Sequence, residues 1–181
     1  MTMLVERDLE FDFAGAERAE KFDVAEIHAS SSIQTVDFIV EYADCYQFIE
    51  IKDPDEPGAA DVQAFKDKLK SGQLIKSLAG KYRDSLFFHR FLDHDEKNVE
   101  YIVLLSMKEL DDAQLLSKLD ELHRSIPYAH PLWQRNSAAV CVILNVAQWK
   151  KRFGPASIRR LSDTKPTGIA GVPPVPAGEA T

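Results

Sequence analysis

The chain has 181 residues, 45% of them hydrophobic and 28% charged, which is enough apolar material for one core and ordinary for a globular protein. Its formal net charge of −7 argues against a protein that coats nucleic acid, so contact with a phosphate backbone would need local basic patches. No apolar run approaches the roughly 20 residues of a membrane helix, and the acidic start does not resemble a signal peptide. The two cysteines have no metal or redox spacing, so we expect free thiols in a reducing cytoplasm.

The first half of the chain predicts a helix followed by a β-hairpin. Apolar residues at three-residue spacing predict the helix over residues 14–23. Two runs rich in β-branched and aromatic residues, 36–42 and 45–52, are separated by Ala43-Asp44, which is short enough for a two-residue hairpin turn. The turn-forming segment DPDEPG then ends the second strand.

The second half alternates helices with buried strands. Residues 60–92 have the pattern of one or two amphipathic helices, with a break expected near Ser71-Gly72 or at Gly80. The remaining predicted elements are a strand over 101–107, a helix over 111–126, a strand over 137–146 and a short helix from Ala147. The order helix, strand, strand, helix, strand, helix, strand predicts an α/β fold with a mixed sheet.

Composition and charge vary along the chain. We expect one domain over residues 1–162 and a disordered tail, rich in Pro, Gly and Ala, over 163–181. Basic residues are concentrated in the segments 66–90 and 150–160, the second of which contains no acid. These segments could dock a phosphate backbone, although a solvated helix face would have the same charge pattern.

The hairpin brings three charged residues together. A two-residue turn places Asp37 directly opposite Glu50, and Lys52 lies two residues further along on the same face. Two carboxylates at that separation repel each other unless a cation lies between them. Mg²⁺ (or Mn²⁺) suits such a pair, because it binds carboxylate oxygens and keeps waters that can act as a nucleophile. Lys52 could orient that water or offset charge that develops on a phosphate.

Two structural alternatives apply to these charges. Asp37, Glu50 and Lys52 could form a cross-strand salt bridge at the end of a sheet. Glu41 shares the face of Asp37 and is either a third ligand or an exposed strand residue.

The pattern Asp37, spacer, Glu50-Ile51-Lys52 resembles the PD-(D/E)xK nuclease superfamily, whose core order is helix, three strands, helix, strand. The similarity covers roughly residues 16–160, and the stretch 36–54 followed by the KYRD of 81–84 is similar to small bacterial members of that superfamily. It implies a restriction-endonuclease-like three-layer core. It also implies that Asp37 and Glu50 bind the metal and that Lys52 is the catalytic lysine.

The resemblance implies further residues. Members often carry a Glu on the first helix, and both Glu17 and Glu20 qualify here. We assign Glu20 to the site, because it lies nearer the edge of the predicted apolar face. In the following helix, Lys81 and Arg83 could contact a phosphate, or they could belong to a solvated turn in which Arg83 pairs with an acid.

The sequence therefore predicts a metal-dependent nuclease that hydrolyses DNA, or alternatively RNA, and acts alone, as a homodimer or with a partner protein. The alternative is a non-catalytic binding or regulatory module on the same fold that contacts another protein. The intact set of Asp37, Glu50 and Lys52 favours the enzyme, and the acidic net charge favours the module.

Overall fold

The computed structural model describes residues 2–28, 32–92 and 96–164. The strands within these ranges are β1 (Met3–Glu6), β2 (Leu9–Asp12), β3 (Arg18–Lys21), β4 (Phe38–Glu41), β5 (Cys45–Lys52), β6 (Asn98–Leu105), β7 (Val140–Leu144) and β8 (Ile158–Arg160). The helices are α1 (Ala25–His28), α2 (Val62–Lys70), α3 (Gln73–Arg90), α4 (Asp112–Ser125) and α5 (Val146–Phe153), and a 3₁₀ turn covers Ser162–Thr164.

A five-stranded mixed sheet forms the centre of the fold, with strand order β3-β4-β5-β6-β7. Strands β3, β4 and β5 are antiparallel neighbours, whereas β5, β6 and β7 are parallel. Helices α3 and α4 bury their apolar residues against one face of this sheet. The other face is covered by α5 and by a three-stranded antiparallel sheet of order β1-β2-β8. The predicted α/β class and mixed sheet are confirmed.

Strand β5 lies between the two apolar layers, and its side chains alternate between them. Tyr46 and Phe48 belong to the layer formed with α3, whereas Ile49 and Ile51 belong to the layer formed with the small sheet. Because alternate residues share a face, Glu50 points towards α3. A charged residue thus occupies a core-facing position of a strand that is buried on both faces.

The predicted hairpin and helix break are confirmed. In β4 and β5, Phe38 pairs with Ile49 and Glu41 with Tyr46, which is the register of a two-residue turn. The long helical segment divides where Gly72 adopts a φ of 77°, a backbone conformation that favours glycine. Gly80, the other candidate for the break, lies inside α3.

The predicted helix over residues 14–23 is wrong, because this segment forms β3 at the edge of the central sheet. Ala19 pairs with Val40 of β4, and Arg18 lies opposite Glu41. Local spacing of three apolar residues is weak support for a helix, and pairing with a neighbouring strand overrides it.

The small sheet was not predicted. Its sequence signal is the alternation of Leu9, Phe11 and Phe13, all three of which are buried against α5 and the central sheet. Its third strand comes from the other end of the chain, since Phe11 pairs with Ile158.

The predicted tail over 163–181 lies outside the described residues from 165 onward, and residues 163 and 164 belong to the 3₁₀ turn. In the part of the chain that is described, no helix has both the length and the apolar character needed to span a bilayer.

Candidate functional site

The hairpin brings Asp37, Glu50 and Lys52 together at one edge of the central sheet. Asp37 immediately precedes β4, and the register of the hairpin places it opposite Glu50 near the end of β5. The ammonium group of Lys52 lies 2.5 Å from Oε1 of Glu50. The predicted proximity of the three side chains is therefore observed.

Both carboxylates are buried. Glu50 is 0% exposed and Asp37 is 8% exposed. Oδ2 of Asp37 accepts a hydrogen bond of 2.6 Å from the amide of Ile51. Among the described residues, Oε2 of Glu50 has no hydrogen-bond partner. A buried carboxylate oxygen without a partner is costly, and a bound water or cation would satisfy it.

Lys81 of α3 completes the cluster. Its ammonium group lies 3.1 Å from Oε1 of Glu50, 3.8 Å from Oδ1 of Asp37 and 3.3 Å from Oδ2 of Asp23. The side chain is only 15% exposed. The sequence predicted Lys81 as a phosphate contact, and it missed that Lys81 forms ion pairs with the two site carboxylates.

The loop before β4 fixes α3 beside these acids. The amide of Val36 donates a hydrogen bond of 2.9 Å to the buried hydroxyl of Ser85, and the amide of Gln34 donates to Asp84 at 3.0 Å. Ser85 lies four residues after Lys81, so it is on the same side of α3. These contacts hold Lys81 next to Asp37.

Burial and mutual repulsion shape the titration of the cluster. Burial, and then the neighbouring charge of Glu50, raise the pKa of Asp37 to about 7, against the opposing effects of Lys81 and Lys52. Burial lowers the pKa of Lys81, but Glu50 and Asp37 outweigh this effect and the net pKa is raised. Lys81 therefore stays charged near neutral pH, where Asp37 titrates.

A cavity of about 490 Å³ lies against this cluster. Asp37, Lys52 and Lys81 line it, together with Asp23 and Arg7. Glu50 lies beneath the two lysines and is not part of the cavity wall. The sequence reasoning missed Arg7 and Asp23, because their positions depend on pairing and packing between segments distant in the chain.

Asp53, directly after the predicted lysine, has a structural role. Its buried carboxylate receives two hydrogen bonds from Arg160, of 2.8 and 2.9 Å, and Arg160 also contacts Asp8 at 3.2 Å. This network attaches β8 and the turn between β1 and β2 to the edge of the central sheet. Arg160, in the segment predicted to dock phosphate, is engaged inside the protein, and Arg159 pairs with Glu10.

The structure does not bring Glu20 or Arg83 into contact with the cluster. Glu20 was predicted on a helix, but it lies on β3, where its side chain is 43% exposed and 3.5 Å from Arg18. Arg83 is exposed, and two residues along a helix correspond to about 200°, so it faces away from Lys81. Glu41 is engaged at the other end of β4, 2.8 Å from Lys97.

The donor atoms fit a hard divalent cation with an incomplete protein shell. Within the described ranges, no three His, Cys, Asp or Glu side chains form a set of metal ligands. Asp37 and Glu50 would therefore be the two side-chain ligands, with the unpartnered Oε2 of Glu50 as one available donor. Mg²⁺ is commonly bound by one or two carboxylates and several waters, so this donor set suits Mg²⁺ or Mn²⁺.

The fold and the site define an α/β protein with a buried Asp-Glu-Lys cluster at the edge of a mixed sheet. No family model, curated protein or solved structure matches the chain.

Proposed function

We propose that the protein is a metal-dependent nuclease that hydrolyses phosphodiester bonds of DNA, or alternatively of RNA. The observation that carries this proposal is the fully buried carboxylate of Glu50, which has one oxygen without a hydrogen-bond partner among the described residues. Glu50 lies opposite Asp37, contacts Lys52 and is next to a cavity. A structural salt bridge does not require that unsatisfied oxygen.

The strand order supports a restriction-endonuclease-like core. The chain passes through three antiparallel strands, β3 to β5, then through helices α2 and α3, and then into β6, which is parallel to β5. This order agrees with the three strands, helix and strand of the PD-(D/E)xK core, although a strand hairpin precedes it where that core has a helix. Asp37 directly precedes the second of the three strands, and the Glu50-Ile51-Lys52 motif ends the third.

Each residue of the cluster has a role in this proposal. Asp37 and Glu50 would hold the metal ion, and the hydrogen bond from Ile51 orients the Asp37 carboxylate. A divalent ion held there would supply Lewis acidity towards a water molecule and the phosphate. Lys52 lines the cavity, where its ammonium can orient the attacking water or offset charge on the phosphate oxygens.

Charges of both signs line the cavity. Arg7, Lys52 and Lys81 lie beside four acids, Glu6, Asp23, Asp37 and Asp53. Nearby groups decide electrostatic attraction more than the net charge does, because salt screens distant charges beyond about 8–10 Å. Attraction of a phosphodiester to this cavity would therefore depend on the two positive charges of a divalent ion held by Asp37 and Glu50.

One observation favours the second candidate, a non-catalytic binding module. Lys52 and Lys81 both contact Glu50, so the described cluster already contains cations that offset its carboxylates. On this interpretation, the cluster is an ion-pair network that stabilises the fold and does no chemistry.

Cleavage assays distinguish the two candidates. The wild-type protein is incubated with Mg²⁺ or Mn²⁺ and with plasmid, linear duplex, single-stranded DNA or RNA, and cleavage is compared in EDTA. The variants Asp37→Asn, Glu50→Gln and Lys52→Met should each reduce cleavage at least 100-fold, in line with the loss of one group that stabilises a transition state. Asp120→Asn and Arg124→Met on exposed positions of α4 are matched controls and should retain activity. Equal cleavage by wild type and all three site variants would overturn the proposal.

A further inference from the structure

The ammonium group of Lys81 lies where a bound cation would neutralise the carboxylate pair. It is 3.1 Å from Oε1 of Glu50 and 3.8 Å from Oδ1 of Asp37, so it contacts one oxygen of each acid. Lys52 contacts Glu50 from the side of β5. Lys81 is thus the lysine that contacts both predicted metal ligands.

A divalent ion and this ammonium group compete for the same two carboxylates. Mg²⁺ bound to Glu50 and Asp37 would lie about 2.0–2.1 Å from each ligand oxygen. With the ammonium only 3.1 Å from Oε1 of Glu50, the two cations would be within a few ångströms of each other in a buried environment. Repulsion between like charges is strong at such distances, because a buried site screens them poorly.

Asp23 offers the ammonium a second position. Its carboxylate lies 3.3 Å from Nζ of Lys81 and is 42% exposed at the cavity wall. The lysine side chain has a long flexible stem, so it can rotate outward and keep an ion pair with Asp23. The backbone of α3 need not move, since the hydrogen bond between Val36 and Ser85 holds the helix against β4.

We propose that Lys81 is a built-in counter-ion that occupies the site in the absence of metal and leaves Glu50, keeping its ion pair with Asp23, when a divalent ion binds. The inference rests on the proposed function, because it assumes that Asp37 and Glu50 bind the metal. Lys81 then sets the metal affinity of the site: the ion must displace a cation that belongs to the protein.

Calorimetric titration with Mn²⁺ tests this proposal without substrate. Lys81→Met keeps a long unbranched side chain that is one atom shorter and removes its charge, and it should tighten Mn²⁺ binding at least tenfold. Lys76→Met, an exposed lysine on the same helix, is the matched control for net charge and should change the dissociation constant less than twofold. The double variant Lys81→Met with Asp23→Asn should bind Mn²⁺ within about threefold of Lys81→Met, because the Lys81 ammonium that Asp23 would hold is already absent.

A crystal structure of the wild-type protein with Mn²⁺ gives an answer even if Lys81→Met does not fold. The proposal predicts that Nζ of Lys81 leaves Glu50 and remains paired with Asp23. A bound Mn²⁺ with Nζ still about 3 Å from Oε1 of Glu50 would overturn it.

The titrations separate failure of this inference from failure of the proposed function. If wild type binds Mn²⁺ and folded Lys81→Met binds no more tightly, Lys81 is not a competing counter-ion and the proposed function stands. If neither folded protein binds Mn²⁺ at millimolar concentration, the metal site itself is wrong and both proposals fall.

Discussion

The amide of Ile51 donates a hydrogen bond of 2.6 Å to Oδ2 of Asp37, and this bond fixes one acid of the site from the strand that carries the other. Ile51 lies between Glu50 and Lys52, so the backbone that positions those two side chains also orients Asp37. The other oxygen of Asp37, Oδ1, faces Lys81, whose Nζ lies 3.8 Å away. The geometry of the cluster therefore depends on the register of one hairpin.

Removal of the Lys81 charge should destabilise the metal-free protein. Lys81→Met leaves Glu50 and Asp37 buried with one fewer counter-ion, and loss of one partner of a buried ion pair costs about 3–5 kcal/mol. Urea denaturation in EDTA at pH 8 measures the free energy of unfolding. Lys76→Met is the matched control and should lie within about 0.5 kcal/mol of wild type. A loss below about 1 kcal/mol for Lys81→Met would show that the ion pairs contribute little.

Stability of the metal-free protein should fall as the pH rises from about 4 to about 7. Asp37 has a pKa of about 7 in the folded state against 3.8 as its ordinary value, so the folded state binds more protons in this range. The free energy of unfolding then decreases with pH, and the contribution from Asp37 amounts to roughly 2–4 kcal/mol. Denaturation at several pH values in EDTA measures this slope for wild type and for Asp37→Asn. Identical slopes in the two proteins would contradict the raised pKa.

The Arg160 network should be a coupled unit. Arg160→Met leaves the buried carboxylate of Asp53 without its two hydrogen bonds from Arg160, and we expect a loss of about 3 kcal/mol in the free energy of unfolding. Asp53→Asn combined with Arg160→Met should recover part of this loss, because the buried charge of Asp53 is then removed together with its partner. A double-mutant cycle measures the coupling, and additive effects of the two substitutions would contradict it.

The N-terminal hairpin should be part of the core. Phe11 is fully buried, with its ring centroid 5.6 Å from that of Phe38 and 5.4 Å from that of Trp149. Phe11→Ala should lower the free energy of unfolding by about 3–5 kcal/mol, as expected for a large buried aromatic residue. Met3→Ala on the exposed side of β1 is the control, with an expected change below about 1 kcal/mol. Equal effects of the two substitutions would show that the small sheet does not pack on the central sheet.

Sequence reasoning succeeded where structure is determined locally. The turn at Ala43-Asp44 sets the register of β4 and β5, and the register places Asp37 opposite Glu50. Residues two apart on a strand share a face, which adds Lys52 to the same side. These three positions needed no knowledge of the rest of the chain.

Sequence reasoning failed where the position of a side chain depends on segments that are distant in the chain. Glu20 was placed on a helix, because local spacing does not reveal that β4 accepts a neighbour at its edge. The position of Lys81 depends on how α3 docks on the sheet through Ser85. The position of Asp23 depends on where β3 ends. No short-range pattern encodes these contacts, so the counter-ion and its second partner could be found only in the folded structure.

The most direct test of the account is to add Mn²⁺ stepwise to protein prepared without metal and to measure the melting temperature and the free energy of unfolding at each concentration. Wild type should be stabilised, by about 2.7 kcal/mol when the metal concentration is 100 times the dissociation constant. Asp37→Asn and Glu50→Gln should each lose most of this stabilisation, whereas Asp120→Asn should keep it. If Mn²⁺ does not stabilise wild type, or stabilises the two site variants equally, Asp37 and Glu50 do not form a metal site and the proposed nuclease mechanism is contradicted.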